Sequence, residues 1–201
     1  MNTIDRNIFE LKNRDLYKLQ LKQIQDFSNK CIDKWEREFG MGIRWKKHFK
    51  ITKIERQAKL HSFQYSILYS FFPCNLYLSR WKDDVSSECN NCHTVDDICH
   101  YFFRCNEVLD FWQQCNNWLN DSIEDLDQMI HLQCKDVILG VLEPKIKADV
   151  INFVILQAKW YIFRKRNNNE KIIFKEFEHV LQYRLQIEEY LYRVKDKIDI
   201  F

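Results

Sequence analysis

Residues 89–105 read Cys89-Asn90-Asn91-Cys92-His93-Thr94-Val95-Asp96-Asp97-Ile98-Cys99-His100-Tyr101-Phe102-Phe103-Arg104-Cys105. Cys89, Cys92, His100 and Cys105 stand in the spacing Cys-x2-Cys-x7-His-x4-Cys. Three thiolates and one imidazole are the donor set of a closed, tetrahedral structural zinc site. The Cys89–Cys92 step lets one tight turn offer two sulfurs to a single ion. Residues His93 to Cys99 are enough chain to fold back and deliver His100. His100 to Cys105 reads as about one and a half turns of helix, with Cys105 closing the set. The spacing predicts one structural Zn2+. Two neighbours, His93 and Cys99, compete for places in it. The Cys89–Cys92 pair also admits a redox reading, or all these residues are ordinary buried thiols. A redox Cys-x-x-Cys usually sits beside a βαβ pattern, and none is visible.

The other four of the eight cysteines, Cys31, Cys74, Cys115 and Cys134, are scattered through apolar stretches. A disulfide framework is denser and belongs to short secreted chains. The opening Met1-Asn-Thr-Ile-Asp-Arg6 is polar and charged, unlike a secretory signal peptide. No apolar run approaches the roughly 20 residues needed to cross a bilayer. The nearest, 150–156, is interrupted by Asn152. The expectation is an intracellular protein of nucleus or cytoplasm, with no membrane partner.

Only 3 Gly and 2 Pro occur in 201 residues. All-β folds need many tight turns and therefore more of both, so long helices joined by few loops are expected. Apolar positions at helical steps predict helices over 15–38, 53–72, 106–119, 145–166 and 172–197. Gly40 and Gly42 end the first, Pro73 the second, and Asn120-Asp-Ser122 the third; Pro144 suits the first turn of the fourth. The fold class is mostly α, a helical bundle-like domain with a small embedded zinc-binding loop–helix. Its segments are 1–44 (N-terminal helical), 45–82 (basic and aromatic), 83–106 (zinc-binding) and 107–201 (C-terminal helical).

Formal net charge is only +2, which excludes a strongly basic nucleic-acid magnet. Its distribution is uneven. Arg44, Lys46, Lys47, Lys50, Lys53, Arg56 and Lys59 face Glu55 alone, a local balance of +6. Trp45 and Phe49 are interleaved with these bases. A second group is Arg164, Lys165 and Arg166, with Lys159 a turn and a half earlier. Such mixtures suit phosphate contacts with stacking on exposed bases. Arg44, Lys46, Lys47, Lys50, Lys53, Lys159, Arg164, Lys165 and Arg166 are therefore the candidate nucleic-acid contacts. The competing readings are a solvated charged face and a cationic complement to a helix C-terminus.

Catalytic motifs are missing. There is no Gly-rich phosphate loop, no Gly-x-Ser-x-Gly and no His-Glu-x-x-His. Asp83-Asp84 and Asp96-Asp97 lack the strand setting that a two-metal site requires. A metal with four protein ligands keeps no open position for water or substrate. No enzyme activity is expected.

The stretch from Lys59 to Trp118 resembles the C-terminal cysteine–histidine region of LINE-type (non-LTR) retrotransposon reverse transcriptases. The resemblance rests on Leu60-His-Ser-Phe-Gln-Tyr65, Phe72-Pro-Cys-Asn75, the Cys89/Cys92/His100/Cys105 set and the following Phe111-Trp112. Asp136-Val-Ile-Leu-Gly140 and Ala158-Lys-Trp-Tyr-Ile162 extend it toward the C-terminus. It implies an accessory module that binds template RNA or target DNA beside upstream reverse transcriptase domains. The family's Tyr-x-Asp-Asp motif and endonuclease module are absent here, and Asp97-Ile-Cys99 departs from its usual acidic and threonine residues. The resemblance thus implies a fragment of such an enzyme or a stand-alone derivative, unable to polymerise or cut by itself. The alternative from the residues is a zinc-stapled protein-interaction module with no nucleic-acid role.

Overall fold

A computed structural model of the chain describes residues 30–51, 57–123, 129–143 and 145–198. These are mostly helical and contain no strand; an antiparallel bridge between Glu88 and Val95 stands alone. The chain divides into two compact units, residues 1–43 and 44–201.

In the first unit, residues 30–39 form a helix, α1. The Lys34 ammonium lies 4.6 Å from the Trp35 ring centre, and Trp35 stacks on Phe39 at 5.5 Å. Gly40, at φ +91°, donates its amide to the Glu36 carbonyl and ends the helix, the left-handed stop that glycine takes most readily. The expected helix over 15–38 lies outside the described residues up to 29.

The second unit holds α2 (Trp45–Ile51), α3 (Ala58–Leu68), α4 (Asn75–Leu78), a π-helical turn (His100–Arg104), α5 (Asn106–Ser122), α6 (Cys134–Leu139), α7 (Lys145–Asn167) and α8 (Phe174–Ile198). Residues 151–159 of α7 are buried without a break. A helix covered on every side is a core helix, and α3 and α8 both pack on it. Phe49 of α2 packs on Tyr65 and Tyr69 of α3 at 6.3 and 5.3 Å, and further aromatic clusters centre on Phe63 and Phe111. Phe63 of α3 meets Phe72, Phe102 and Trp160 edge-to-face, at 5.8, 5.9 and 5.2 Å. Phe111 of α5 meets Tyr161 of α7 and Phe177 of α8 at 5.9 and 5.2 Å. Such pairs add about 0.5–1.5 kcal/mol each beyond their buried area.

The long helices α7 and α8 match the periodicity closely, and the shorter elements differ from it. The helix expected over 53–72 stops at Leu68, before Pro73 can act, because Ser70 enters the left-handed region at φ +59°. Phe71 and Ser70 donate their amides to the Ser66 and Ile67 carbonyls, a Schellman closure with serine where glycine is usual. The helix starting at Asn106 runs through Asn120 to Ser122 rather than breaking there. Asn120 is held in it by partners beyond the helix: its side chain accepts from the Ile130 amide and donates to the Ile130 carbonyl. Helices α4 and α6 are too short to announce themselves by periodicity. Gln133 and Asp136 cap α6 reciprocally, the amide–carboxylate form of a capping box.

Candidate metal centre

The four spaced residues converge. One ligand atom from each of Cys89, Cys92, His100 and Cys105 lies within 4.8 Å of every other. The Cys105 sulfur is 3.8 Å from that of Cys89 and 3.9 Å from that of Cys92. Two sulfurs bound at about 2.3 Å to one tetrahedral ion stand about 3.8 Å apart, so the donor set fits. The His100 Nε2 is 3.2 Å from the Cys92 sulfur. Together these residues can hold a metal ion. The neighbours that competed for places are elsewhere. His93 is exposed and turns the chain at φ +55°, and buried Cys99 lies outside the group.

Local geometry explains the convergence. Cys89 donates its amide to the Thr94 carbonyl, His93 to Cys89, and Asp96 to Ser87, folding 87–96 into a tight hairpin. Asp97 caps the next helical turn, accepting the His100 amide at 2.7 Å, the N-cap to N3 bond. From His100 the turn widens: the Cys105 amide donates to the His100 carbonyl, five residues back. In a regular α-helix residues five apart point about 140° away from each other. The wider π turn brings them onto one side, as π turns often do at functional sites. The Trp112 indole donates to the Phe102 carbonyl that the turn leaves open, at 2.6 Å.

The Thr94 hydroxyl lies 3.2 Å from His100 Nδ1 and 3.4 Å from Nε2, and 3.2 Å from the Cys92 sulfur. Burial holds the His100 imidazole below its ordinary pKa, which favours the neutral form a metal requires. The Thr94 hydroxyl lowers the Cys92 thiol, whereas burial pushes Cys105 up to about 12; a bound divalent ion would remove that proton outright. Asp96, 2% exposed, ties the hairpin to α4 by accepting the Asn75 amide at 3.1 Å.

The candidate nucleic-acid residues separate into two classes. Arg44, Lys46, Lys47 and Lys50 lie exposed on and beside α2, with Trp45 and Phe49 half-buried among them. Arg44 pairs with Glu143 at 3.5 Å; Lys46, Lys47 and Lys50 have no ion-pair partner among the described residues. Arg164 is also exposed. Lys53 lies outside the described residues. Three others are corrected. Lys159 is 1% exposed and donates to Gln64 Oε1 at 2.6 Å inside the core. Lys165 bridges Glu170 and Glu176 at 2.8 and 2.7 Å. Arg166 turns onto the Cys89 and Cys105 sulfurs, 3.2 Å from each.

A local charge run could not distinguish these fates. The apolar run around Lys159 did carry a signal, since a helix without a polar face buries whatever cation it contains. The role of Arg166 joins positions 77 residues apart and leaves no local trace. Asp97 was readable as an N-cap three residues before His100.

No protein-family model, curated protein or solved structure matches this chain. Among the described residues no helix is long and apolar enough to cross a membrane.

Proposed function

We propose that the second unit is a zinc-stapled module that binds single-stranded RNA or DNA through α2. The observation that carries this reading is the α2 surface: Lys46, Lys47 and Lys50 are exposed and unpaired among the described residues, beside half-buried Trp45 and Phe49. Cations would meet phosphates while rings offer stacking surface. The platform is anchored, because buried His48 bonds the Leu139 carbonyl through Nδ1 at 3.0 Å. Arg164 is not part of this patch. It lies twelve residues beyond Asn152, near which Ile51 of α2 packs against Gly140, or about 18 Å along the α7 axis.

Zinc is the ion proposed, from three sulfurs and one imidazole at tetrahedral separations. With four protein ligands it is structural, and the module supports binding rather than catalysis. This agrees with the resemblance to the C-terminal cysteine–histidine region of LINE-type reverse transcriptases, and it makes an intracellular accessory of such an enzyme the parent reading. The test is fluorescence anisotropy with single-stranded RNA and DNA at two salt concentrations. Affinity should fall steeply with salt, and Lys46/Lys47/Lys50→Glu should weaken low-salt binding at least tenfold. Unchanged affinity in that variant removes the assignment.

A second reading has its own observation. Val180, Tyr183 and Tyr190 of α8 are 52%, 66% and 66% exposed, at steps that place them on one stripe. Beyond Leu181 no described side chain of α8 is buried. This face suits a protein partner, and Tyr183→Glu with Tyr190→Glu would abolish such docking without altering nucleic-acid affinity.

A further inference from the structure

We propose that Arg166 is a resident guard of the metal centre: its guanidinium neutralises the thiolate cluster, slows metal loss and shields two of the three sulfurs from electrophiles. This rests on the metal reading above and not on the nucleic-acid reading.

Both terminal nitrogens of the guanidinium donate hydrogen bonds. Nη2 donates to the Cys89 and Cys105 sulfurs at 3.2 Å each. Nη1 donates to the Tyr101 carbonyl at 3.1 Å and lies 3.5 Å from Asp96 Oδ1, an ion pair too long for a hydrogen bond. Nε is 4.0 Å from Glu107 Oε2. The Tyr101 ring covers one face, 4.4 Å from the guanidinium carbon. An arginine bonded through both terminal nitrogens, covered on one face and 9% exposed is not a surface cation turned inward by chance. It is fixed where a point charge on a flexible stem would not be.

The chemistry follows from charge. Three thiolates, a neutral imidazole and a divalent ion sum to −1, and a buried uncompensated charge is costly. The guanidinium supplies the opposite charge at the sulfurs. Its N–H···S bonds also withdraw electron density from the sulfur lone pairs, which lowers their nucleophilicity, in the way outer-shell donors tune metal ligands generally. The protection is uneven. Cys92 has no guanidinium contact, only Thr94 and its fellow ligands, and it is the least buried of the three. A cleft of about 390 Å³ beside the centre, lined by Pro73, Asn75, Cys89, Tyr101 and Arg166, brings solvent up to the guarded side. Cys92 is therefore the edge at which the site opens, and Arg166 keeps Cys89 and Cys105 from following.

The experiment uses the full chain loaded with Co2+, whose thiolate charge-transfer band reports sulfur electron density directly. Wild type, Arg166→Met and Arg166→Lys are compared in three readouts: the band, metal transfer to a chromophoric chelator, and the order of cysteine alkylation by iodoacetamide, resolved by mass spectrometry. Of the three ligand cysteines in wild type, Cys92 is expected to be alkylated first. In Arg166→Met the band should move to lower energy, metal transfer should quicken at least tenfold, and Cys89 and Cys105 should be alkylated nearly together with Cys92. Arg166→Lys should fall between. Should Arg166→Met fail to fold, Arg166→Lys decides, because an unshifted band and unchanged transfer rate in it overturn the proposal. A folded Arg166→Met that matches wild type in band and transfer also overturns it, and leaves the metal reading intact. A wild-type chain that takes up no Co2+ overturns both.

Discussion

Asn152 pairs with Val141 through both ends of its side-chain amide. Oδ1 accepts the Val141 amide at 2.7 Å and Nδ2 donates to the Val141 carbonyl at 2.7 Å. The residue that interrupts the apolar run of α7 thus closes the backbone of the α6–α7 connection, where no helix continues to satisfy it. Asn152→Leu preserves approximate size but orphans two part-buried backbone groups of Val141, each costing toward the low end of about 1–3 kcal/mol. The expected loss is about 2 kcal/mol, read as a lower urea midpoint with an unchanged m-value.

Gly140 is the companion constraint. At φ +91°, a Cβ there would stand 2.7 Å from Ile51 Cδ1 and 2.8 Å from Asn152 Oδ1, whereas one at Gly40, also at φ +91°, meets nothing within 4 Å. Gly40→Ala carries a left-handed backbone penalty of about 1 kcal/mol, whereas Gly140, at ψ 161°, lies in a region that only glycine adopts readily, so backbone strain and clash add there. Gly140→Ala should cost at least about 1 kcal/mol more. Equal thermal shifts for the two would contradict the packing of α2 on the α6–α7 turn.

Ser70 offers a gain. It holds the left-handed position of the α3 closure at φ +59°, and its hydroxyl is buried without a partner. Ser70→Gly relieves both and should raise stability by about 1 kcal/mol. A fall in denaturation midpoint would mean that the hydroxyl is satisfied.

Lys159 makes stability pH-dependent. Burial lowers its pKa from 10.5 to about 7, so folding excludes a proton that the unfolded chain retains. A base depressed in the folded state destabilises fully below pH 7, and the penalty is relieved as pH rises from 7 toward 10.5. Stability should therefore climb over that window by up to about 1.4 kcal/mol per pH unit from this group. Lys159→Met removes the slope. Between pH 7 and 9 the wild type should gain about 2 kcal/mol relative to the variant in parallel urea titrations; parallel curves would show that Lys159 is charged in the fold.

Legibility in the sequence followed length of pattern. Helices α7 and α8 carry enough apolar repeats to override local noise, and the ligand spacing is decisive because four donors must meet within one loop. The stops of α3 and α5 depart from the periodicity for opposite reasons. Ser70 ends α3 by a left-handed turn that composition does not favour, while Asn120 stays helical because distant Ile130 satisfies its side chain. The π turn at His100 leaves no mark in the periodicity; it shows in the Cys105 amide bonding the His100 carbonyl five residues back. Charged side chains were the least legible, since the cluster at 164–166 sends one residue to solvent, one to carboxylates and one to sulfur.

Metal stoichiometry of the purified chain, expressed in zinc-replete medium and measured by native mass spectrometry beside Cys105→Ser, decides whether Cys89, Cys92, His100 and Cys105 hold zinc. One zinc per wild-type chain is expected, none in the variant, with loss of helicity on chelation, because zinc in small structural sites contributes on the order of 10–16 kcal/mol to folding. A wild-type chain that is folded, zinc-free and indifferent to chelators would contradict the zinc assignment.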